Sequence, residues 1–315
     1  MNRKAIIIGI SGKTLTIKEK KLLFKYKPWG VILFSRNISS FKKTKKLIKS
    51  IRSTIRDKNF PILIDEEGGN VTRLSKLFDN KIYSQSFFGK LYKKDPKTTS
   101  TLYINYINSL CSIFKILGIN INTVPVLDIL KSKTHKIIIN RSYSSQINII
   151  KKLSKICLKS YKKNKIGNVI KHIPGHGSSS YDSHKSLPIV KNRYIDLKKN
   201  DFYCFKNLNS LFAMTAHIIY SRLDKKNTCT HSKIIINKII RKQIGFKGIL
   251  ISDDIGMKAL KFDLITNAKK SLQAGCNLVL HCSGKYNESL QLLKKMPLID
   301  TFTIKKTSEF YKFLR

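Results

Sequence analysis

The sequence predicts an α/β fold, a (β/α)8 barrel of the TIM type, on three observations. Short runs rich in Ile, Val and Leu recur with amphipathic stretches between them, polar residues follow most of those runs, and no Pro/Gly/Ser-rich linker divides the 315 residues. The runs are continuously apolar rather than alternating, the pattern of strands buried on both faces of a parallel sheet. A single barrel domain is therefore expected over residues 1–315.

The eight candidate strands, in order, are Ala5–Ile10, Gly30–Phe34, Pro61–Ile64, Ile121–Val124, Gly167–Lys171, Leu211–Thr215, Gly248–Ser252 and Asn277–His281. Helical periodicity at Phe41–Ile55, Thr98–Leu117, Ser145–Lys163, Ser232–Gln243 and Asp263–Ala274 supplies crossovers, and Thr301–Arg315 reads as a final helix with little tail and so with reduced C-terminal support for the barrel. Eight such units favour a closed barrel over an open doubly wound sheet. A barrel assembles its site where the strands finish. Here Arg36 and Asn37 follow the second run, Asp65 the third, Asp128 the fourth, His172 the fifth, His217 the sixth, and Asp253 with Asp254 the seventh. An open nucleotide-binding sheet would instead carry a Gly-rich turn after its first strand. The segment GISGKT from Gly9 to Thr14 is two residues short of the spacing that lets backbone amides wrap a phosphate, and is expected to be a plain strand-to-helix turn.

A hydrophobic content of 42% supports a sizeable core, and the apolar runs are far below the roughly 20 residues of a membrane span. The run at Ala5 is too short for a signal peptide, so a soluble cytoplasmic protein is expected. Six cysteines, at 111, 157, 204, 229, 276 and 282, form no CxxC pair, which suits a reducing compartment. The net charge of +44 would by itself suggest nucleic acid or an anionic membrane. The lysines, however, are spread over nearly every predicted helix and loop, with Ile and Asn raised alongside them, as in a global composition bias. No specific nucleic-acid partner and no membrane insertion are expected, and such a surface repels itself.

Chemistry concentrates in two stretches. Lys171 to His184, KHIPGHGSSSYDSH, holds three histidines, an aspartate and a lysine; Pro174 fixes one backbone angle, Gly175 and Gly177 remove bulk, and Ser178 to Ser180 favour a mobile exposed loop. Lys171 and His172 sit at a strand end and should point to opposite sides unless a bulge intervenes. His176 is expected to shape the loop. Ile64 to Arg73, IDEEGGNVTR, places Asp65 to accept hydrogen bonds from ligand hydroxyls; its Gly-Gly step would turn the backbone close to that ligand, and Arg73 could return to hold Asp65 ionised. Asn140-Arg141-Ser142-Tyr143 is a weaker signal. His217 is open between a site role and a satisfied core-edge histidine.

Together with PVLDI at 125–129, MTAHIIYS at 214–221 and ISDDIGM at 251–257, these stretches closely resemble the bacterial β-N-acetylglucosaminidases of glycoside hydrolase family 3. More narrowly they are similar to the single-domain cytoplasmic type that removes N-acetylglucosamine from cell-wall fragments in peptidoglycan recycling. The motifs run in the family's order from about residue 30 to about residue 282. The resemblance implies a (β/α)8 barrel that takes N-acetylglucosamine linked β-1,4 to an anhydro-muramyl peptide; no cofactor or metal is expected, and a monomer is expected. It implies Asp253 as nucleophile, His184 as acid/base and Asp182 as its partner. Asp65, Arg73, Arg141, Lys171 and His172 would hold the sugar. Asn70, Thr72 and Asn277 depart from the family pattern, which commonly has Arg, Gln and Asp there.

The residues support that chemistry independently. Retaining glycoside hydrolysis needs one group to attack the anomeric carbon and another to protonate the leaving oxygen and then activate water. A strand-end carboxylate suits the first role. Side chains alternate along an extended segment, so Asp253 rather than Asp254 should face the cavity. An imidazole near pKa 6.5 can serve as acid in one step and base in the next, and Asp182 could orient it. That histidine is expected to swing over bound substrate. Two rival readings remain. His172, His176, Asp182 and His184 are zinc-ligand types, but Pro174 and the glycines keep His172 and His176 from lying one helical turn apart. A catalytically weakened sugar- or polyanion-binding protein on the same scaffold is the other.

Overall fold

The computed structural model describes residues 2–131, 139–179 and 187–315. Eight parallel strands form a closed barrel: β1 (Lys4–Gly9), β2 (Pro28–Leu33), β3 (Ile62–Ile64), β4 (Ile121–Asn122), β5 (Gly167–Ile173), β6 (Phe212–Thr215), β7 (Ile249–Asp254) and β8 (Leu278–His281). Each pairs with its neighbours in chain order, and β8 closes onto β1 through Ile7 opposite Leu280. Every predicted strand is present, within about three residues at each end.

Alternation along the strands splits the core into two. Ile7, Trp29, Leu63, Val169, Phe212 and Ile249 point inward and fill the barrel, while Ile6, Ile8, Val31, Ile62 and Ile170 point outward against the helices. The helix Thr301–Phe313 closes the end opposite the strand termini. Its Phe310 packs edge-on to Phe212 at 5.2 Å, and Trp29 Nε1 donates to Thr307 Oγ1 at 2.8 Å. The short C-terminal segment thus plugs the barrel, where the sequence had suggested reduced support.

Helix boundaries follow their caps. Phe41–Ile55 starts at Ser40, whose side chain accepts from the Lys43 N–H; Pro96–Leu117 starts at Asp95 and stops at Gly118; Leu264–Ala274 runs from Asp263 to Gly275. The stretch expected as an α-helix at Ser232–Gln243 is wound as a π-helix over Ile235–Ile244. Its apolar residues stand five apart, Ile235 with Ile240 and Ile239 with Ile244, so the i to i+5 winding still buries one face. The Gly9–Thr14 segment is a turn, as expected. It leads into the helix Ile17–Tyr26 through a Thr16–Glu19 capping box, and Glu19 also accepts the Ser11 N–H at 2.9 Å. All six cysteines are free. Among the described residues no helix is long and apolar enough to cross a membrane.

Candidate functional site

A cavity of about 210 Å³ opens where the strands end, and its lining includes Asp65, Arg73, Arg141, Lys171, His172 and Asp253. Six of the eight proposed site residues therefore share one cavity, although they come from segments up to 188 positions apart (253 − 65). The other two, Asp182 and His184, lie outside the described residues, as does the swinging motion expected for that histidine.

One wall is an ion-pair network. Lys171 Nζ lies 2.6 Å from Asp65 Oδ1 and 2.6 Å from Glu67 Oε1, and donates to Thr123 Oγ1 at 3.1 Å. Asp65 also accepts from Arg73 Nη2 at 2.8 Å and from Thr123 Oγ1 at 2.5 Å. Glu67 receives both arms of Arg141, from Nε and Nη2, each at 2.8 Å. Burial alone would raise the Asp65 carboxyl, but Lys171 and Arg73 outweigh it and hold the group well below the usual carboxylate range. Burial likewise opposes ionisation of Glu67, and Arg141 with Lys171 overcomes it. For Arg141 burial disfavours the charge, yet Glu67 turns the balance and raises its pKa.

The strand that supplies Lys171 and His172 is irregular where it must be. The pairing of β5 with β6 shifts register between Lys171 and Ile173, and the Lys171–His172 peptide is cis. Both side chains reach the cavity, the outcome that an irregularity was needed to allow. His172 Nδ1 donates to Asp128 Oδ2 at 2.7 Å. Asp128 is fully buried; burial raises its carboxyl, and the two histidines more than compensate.

The opposite wall is mainly apolar and sulfur-bearing: Met214, Met257, Leu280, Cys282, Ile32 and Phe34, with Asp253 and Asp254 at the end of β7. The Asp254 carboxylate is occupied in holding backbone. Its Oδ1 accepts from Gly256 N at 3.1 Å and Cys282 N at 3.2 Å, yet Asp254 lines the cavity beside Asp253, where alternation had favoured Asp253 alone. Asp253 Oδ1 accepts the Asp254 N–H at 2.8 Å. His217 is a satisfied histidine at the edge of the core, the second of its two readings. Nε2 donates to the Asp254 carbonyl at 3.0 Å and Nδ1 accepts from Thr230 Oγ1 at 2.7 Å, so both ring nitrogens are used. Burial lowers its pKa despite Asp253 nearby.

Two expectations are corrected. Gly68 and Gly69, expected beside the ligand, do not line the cavity. Both residues take left-handed φ, and a Cβ on Gly68 would lie 2.2 Å from the Tyr83 carbonyl, so the step folds the chain against itself. Glu66 fixes that fold, accepting from Arg73 N at 2.7 Å, Leu74 N at 2.9 Å and Asn80 Nδ2 at 2.7 Å. The start of the central loop is not exposed either. Gly175 to Gly177 and Ser179 are buried, and Ser178 donates to buried Asp201, which also pairs with Lys131 at 2.6 Å. The backbone N–H of His176 anchors this turn by donating to Asp128 Oδ1 at 2.6 Å. Burial lowers its pKa to about 4.

Glu67 and Asp128 are the residues paired to the cavity lining that sequence reasoning left without a role. Glu67 adjoins two other acids, and its distinction is a pair of cations distant in sequence. Asp128 carried one legible signal, a polar residue closing an apolar strand. Among the described residues no three His, Cys, Asp or Glu side chains are grouped to hold a metal ion; of the four zinc-ligand candidates, Asp182 and His184 are not described.

The family model for the glycosyl hydrolase family 3 N-terminal domain matches residues 8–306. Over 314 residues the chain is 29% identical to the beta-hexosaminidase of Psychromonas ingrahamii, covering 98% of this chain and 89% of that one. It superimposes on NagZ from Neisseria gonorrhoeae, solved with N-trifluoroacetyl-D-glucosamine, at a TM-score of 0.87 and 26% identity, covering 100% of this chain and 91% of the other. A family 3 β-N-acetylglucosaminidase from Paenibacillus superimposes at a TM-score of 0.86 and 23% identity. There the match covers 98% of this chain and 60% of the longer protein, a likeness of fold alone.

Proposed function

The chain belongs to glycoside hydrolase family 3, and from that premise we propose that it is a retaining, exo-acting β-N-acetylglucosaminidase working through Asp253. It is a glycoside hydrolase of the β-N-acetylhexosaminidase type acting on small carbohydrate. The finer reading is one catalytic domain over residues 1–315 that removes terminal β-1,4-linked N-acetylglucosamine from anhydro-muramyl peptides during peptidoglycan recycling in the cytoplasm.

One observation carries it: a cavity of about 210 Å³, room for one sugar unit, with Asp253 on one side and a hydrogen-bonding wall on the other. Asp65, Arg73, Arg141, Lys171 and His172 take the hydroxyls of the terminal sugar and aim C1 at Asp253. The Asp253 carboxylate attacks C1 as the glycosidic bond breaks. His184, oriented by Asp182, gives the leaving oxygen its proton. The glycosyl-aspartate is then opened by water, whose proton returns to His184 while Asp253 leaves as carboxylate. General acid–base help of this kind is worth roughly 10²–10⁴-fold.

The test is release of a chromogenic aglycone from an aryl β-N-acetylglucosaminide by the wild type and by Asp253→Ala. Folded wild-type protein without activity, or a variant with full activity, overturns the proposal.

A further inference from the structure

The Asp128 carboxylate, fully buried, divides its two oxygens between the two ends of one segment. Oδ2 takes the ring Nδ1 of His172 at 2.7 Å, and Oδ1 takes the backbone N–H of His176 at 2.6 Å and lies 3.4 Å from that of His172. Ser142, next to Arg141, donates to the Asp128 carbonyl. On the far side of the His172 ring, Nε2 stands 3.4 Å from Arg141 Nη2. A guanidinium offers only donors, so Nε2 must present its lone pair, and the ring hydrogen must sit on Nδ1 facing Asp128. The tautomer is thus specified from both sides, by an acceptor at one nitrogen and a donor at the other.

We propose that Asp128 is a positioning residue that fixes His172 as the Nδ1–H tautomer, so that Nε2 faces the cavity as an acceptor, now for Arg141 at 3.4 Å and, where a sugar hydroxyl displaces that long contact, for the sugar. The same carboxylate ties that ring to the first turn of the loop leading to Asp182 and His184. The inference rests on the glycosidase reading for its kinetic consequence, and on geometry alone for the tautomer.

Asparagine is the informative replacement because it matches aspartate in shape but has one acceptor. If its oxygen keeps the His176 N–H, its amide hydrogens face Nδ1 and drive the ring hydrogen to Nε2, against Arg141. If its oxygen keeps Nδ1, its amide meets the His176 N–H, donor against donor. Either way one of the two ties is lost.

Two measurements decide it. Nitrogen-15 NMR of histidine-labelled wild type, with the His172 signals assigned by their loss in His172→Gln, should show hydrogen on Nδ1 and a bare Nε2. Hydrogen on Nε2 overturns the proposal, whether or not the enzyme is active and whether or not any Asp128 variant folds. In Asp128→Asn, shown to be folded by circular dichroism, kcat/KM for an aryl β-N-acetylglucosaminide should fall by about 10²-fold or more, as for other residues that set a histidine's tautomer. A folded variant within twofold of wild type overturns it. A wild type inactive on every β-N-acetylglucosaminide would sink the glycosidase reading and leave the tautomer to stand or fall by NMR.

Discussion

The two walls of the cavity are built differently. The wall from β3, β4 and β5 carries three cations, Arg73, Arg141 and Lys171, and balances them with Asp65 and Glu67 in ion pairs of 2.6–2.8 Å. Its donors and acceptors are held in place by one another, a rigid and nearly neutral array that on the proposed reading receives the sugar hydroxyls. The wall from β6, β7, β8 and β2 places Asp253 among methionine, cysteine and aliphatic side chains. Apolar surroundings exclude water and strengthen what charge there is. A buried array is costly to break and tolerant of little, whereas an apolar wall tolerates change of shape except at its acid.

Five experiments press on that contrast, the largest effect first. Asp253→Ala should lower kcat by roughly 10⁴-fold or more, since a residue in the covalent path cannot be replaced by binding alone; retention of more than a hundredth of wild-type kcat would break the assignment. Lys171→Met removes the ammonium from between Asp65 and Glu67, with Lys171 only 2% exposed. It should cost about 3–5 kcal/mol in denaturant titration, besides raising KM. A variant as stable as wild type would show that the ion pairs do not carry this wall.

Acid comes next. His176 is held neutral, its pKa lowered by burial from 6.5 to about 4. A histidine lowered in this way contributes stability that is full above about pH 6.5 and is lost as pH falls through about 4, up to about 3 kcal/mol for the group. The melting temperature should therefore drop across that window, and drop less steeply in His176→Gln. An identical slope in both proteins would count against it. Glu67→Gln keeps the shape of the wall but removes the charge that Arg141 and Lys171 share. A loss of about 10–100-fold in kcat/KM is expected, the scale of a charged hydrogen bond. Met214→Leu, a volume-conserving swap on the apolar wall, should cost under about 1.5 kcal/mol. A larger loss would mean that this wall too is finely fitted.

The fold and half of this contrast were legible in the sequence because they rest on local pattern. Strands buried on both faces announce themselves as apolar runs, and strand ends mark the height of the site, so Asp65, His172 and Asp253 were found from position alone. The alternation rule expected Asp253 alone to face the cavity, and there it fails, because Asp254 lines it too. The irregularity at Lys171–His172 was foreseeable because two polar residues at one strand end cannot otherwise share a cavity. What stayed hidden depends on partners far along the chain. Nothing in Asp-Glu-Glu at 65–67 says that the third acid meets Arg141 and Lys171. Gly68 and Gly69 look like a ligand-facing turn until Tyr83 is seen behind them. Ser178 looks like loop filler until buried Asp201 is beneath it.

The central claim is double displacement at Asp253, and the stereochemistry of the first product tests it most directly. Proton NMR of the sugar released in the first minutes, before mutarotation, should show the β-anomer of N-acetylglucosamine. The α-anomer appearing first would mean inversion by a single displacement and would contradict the account.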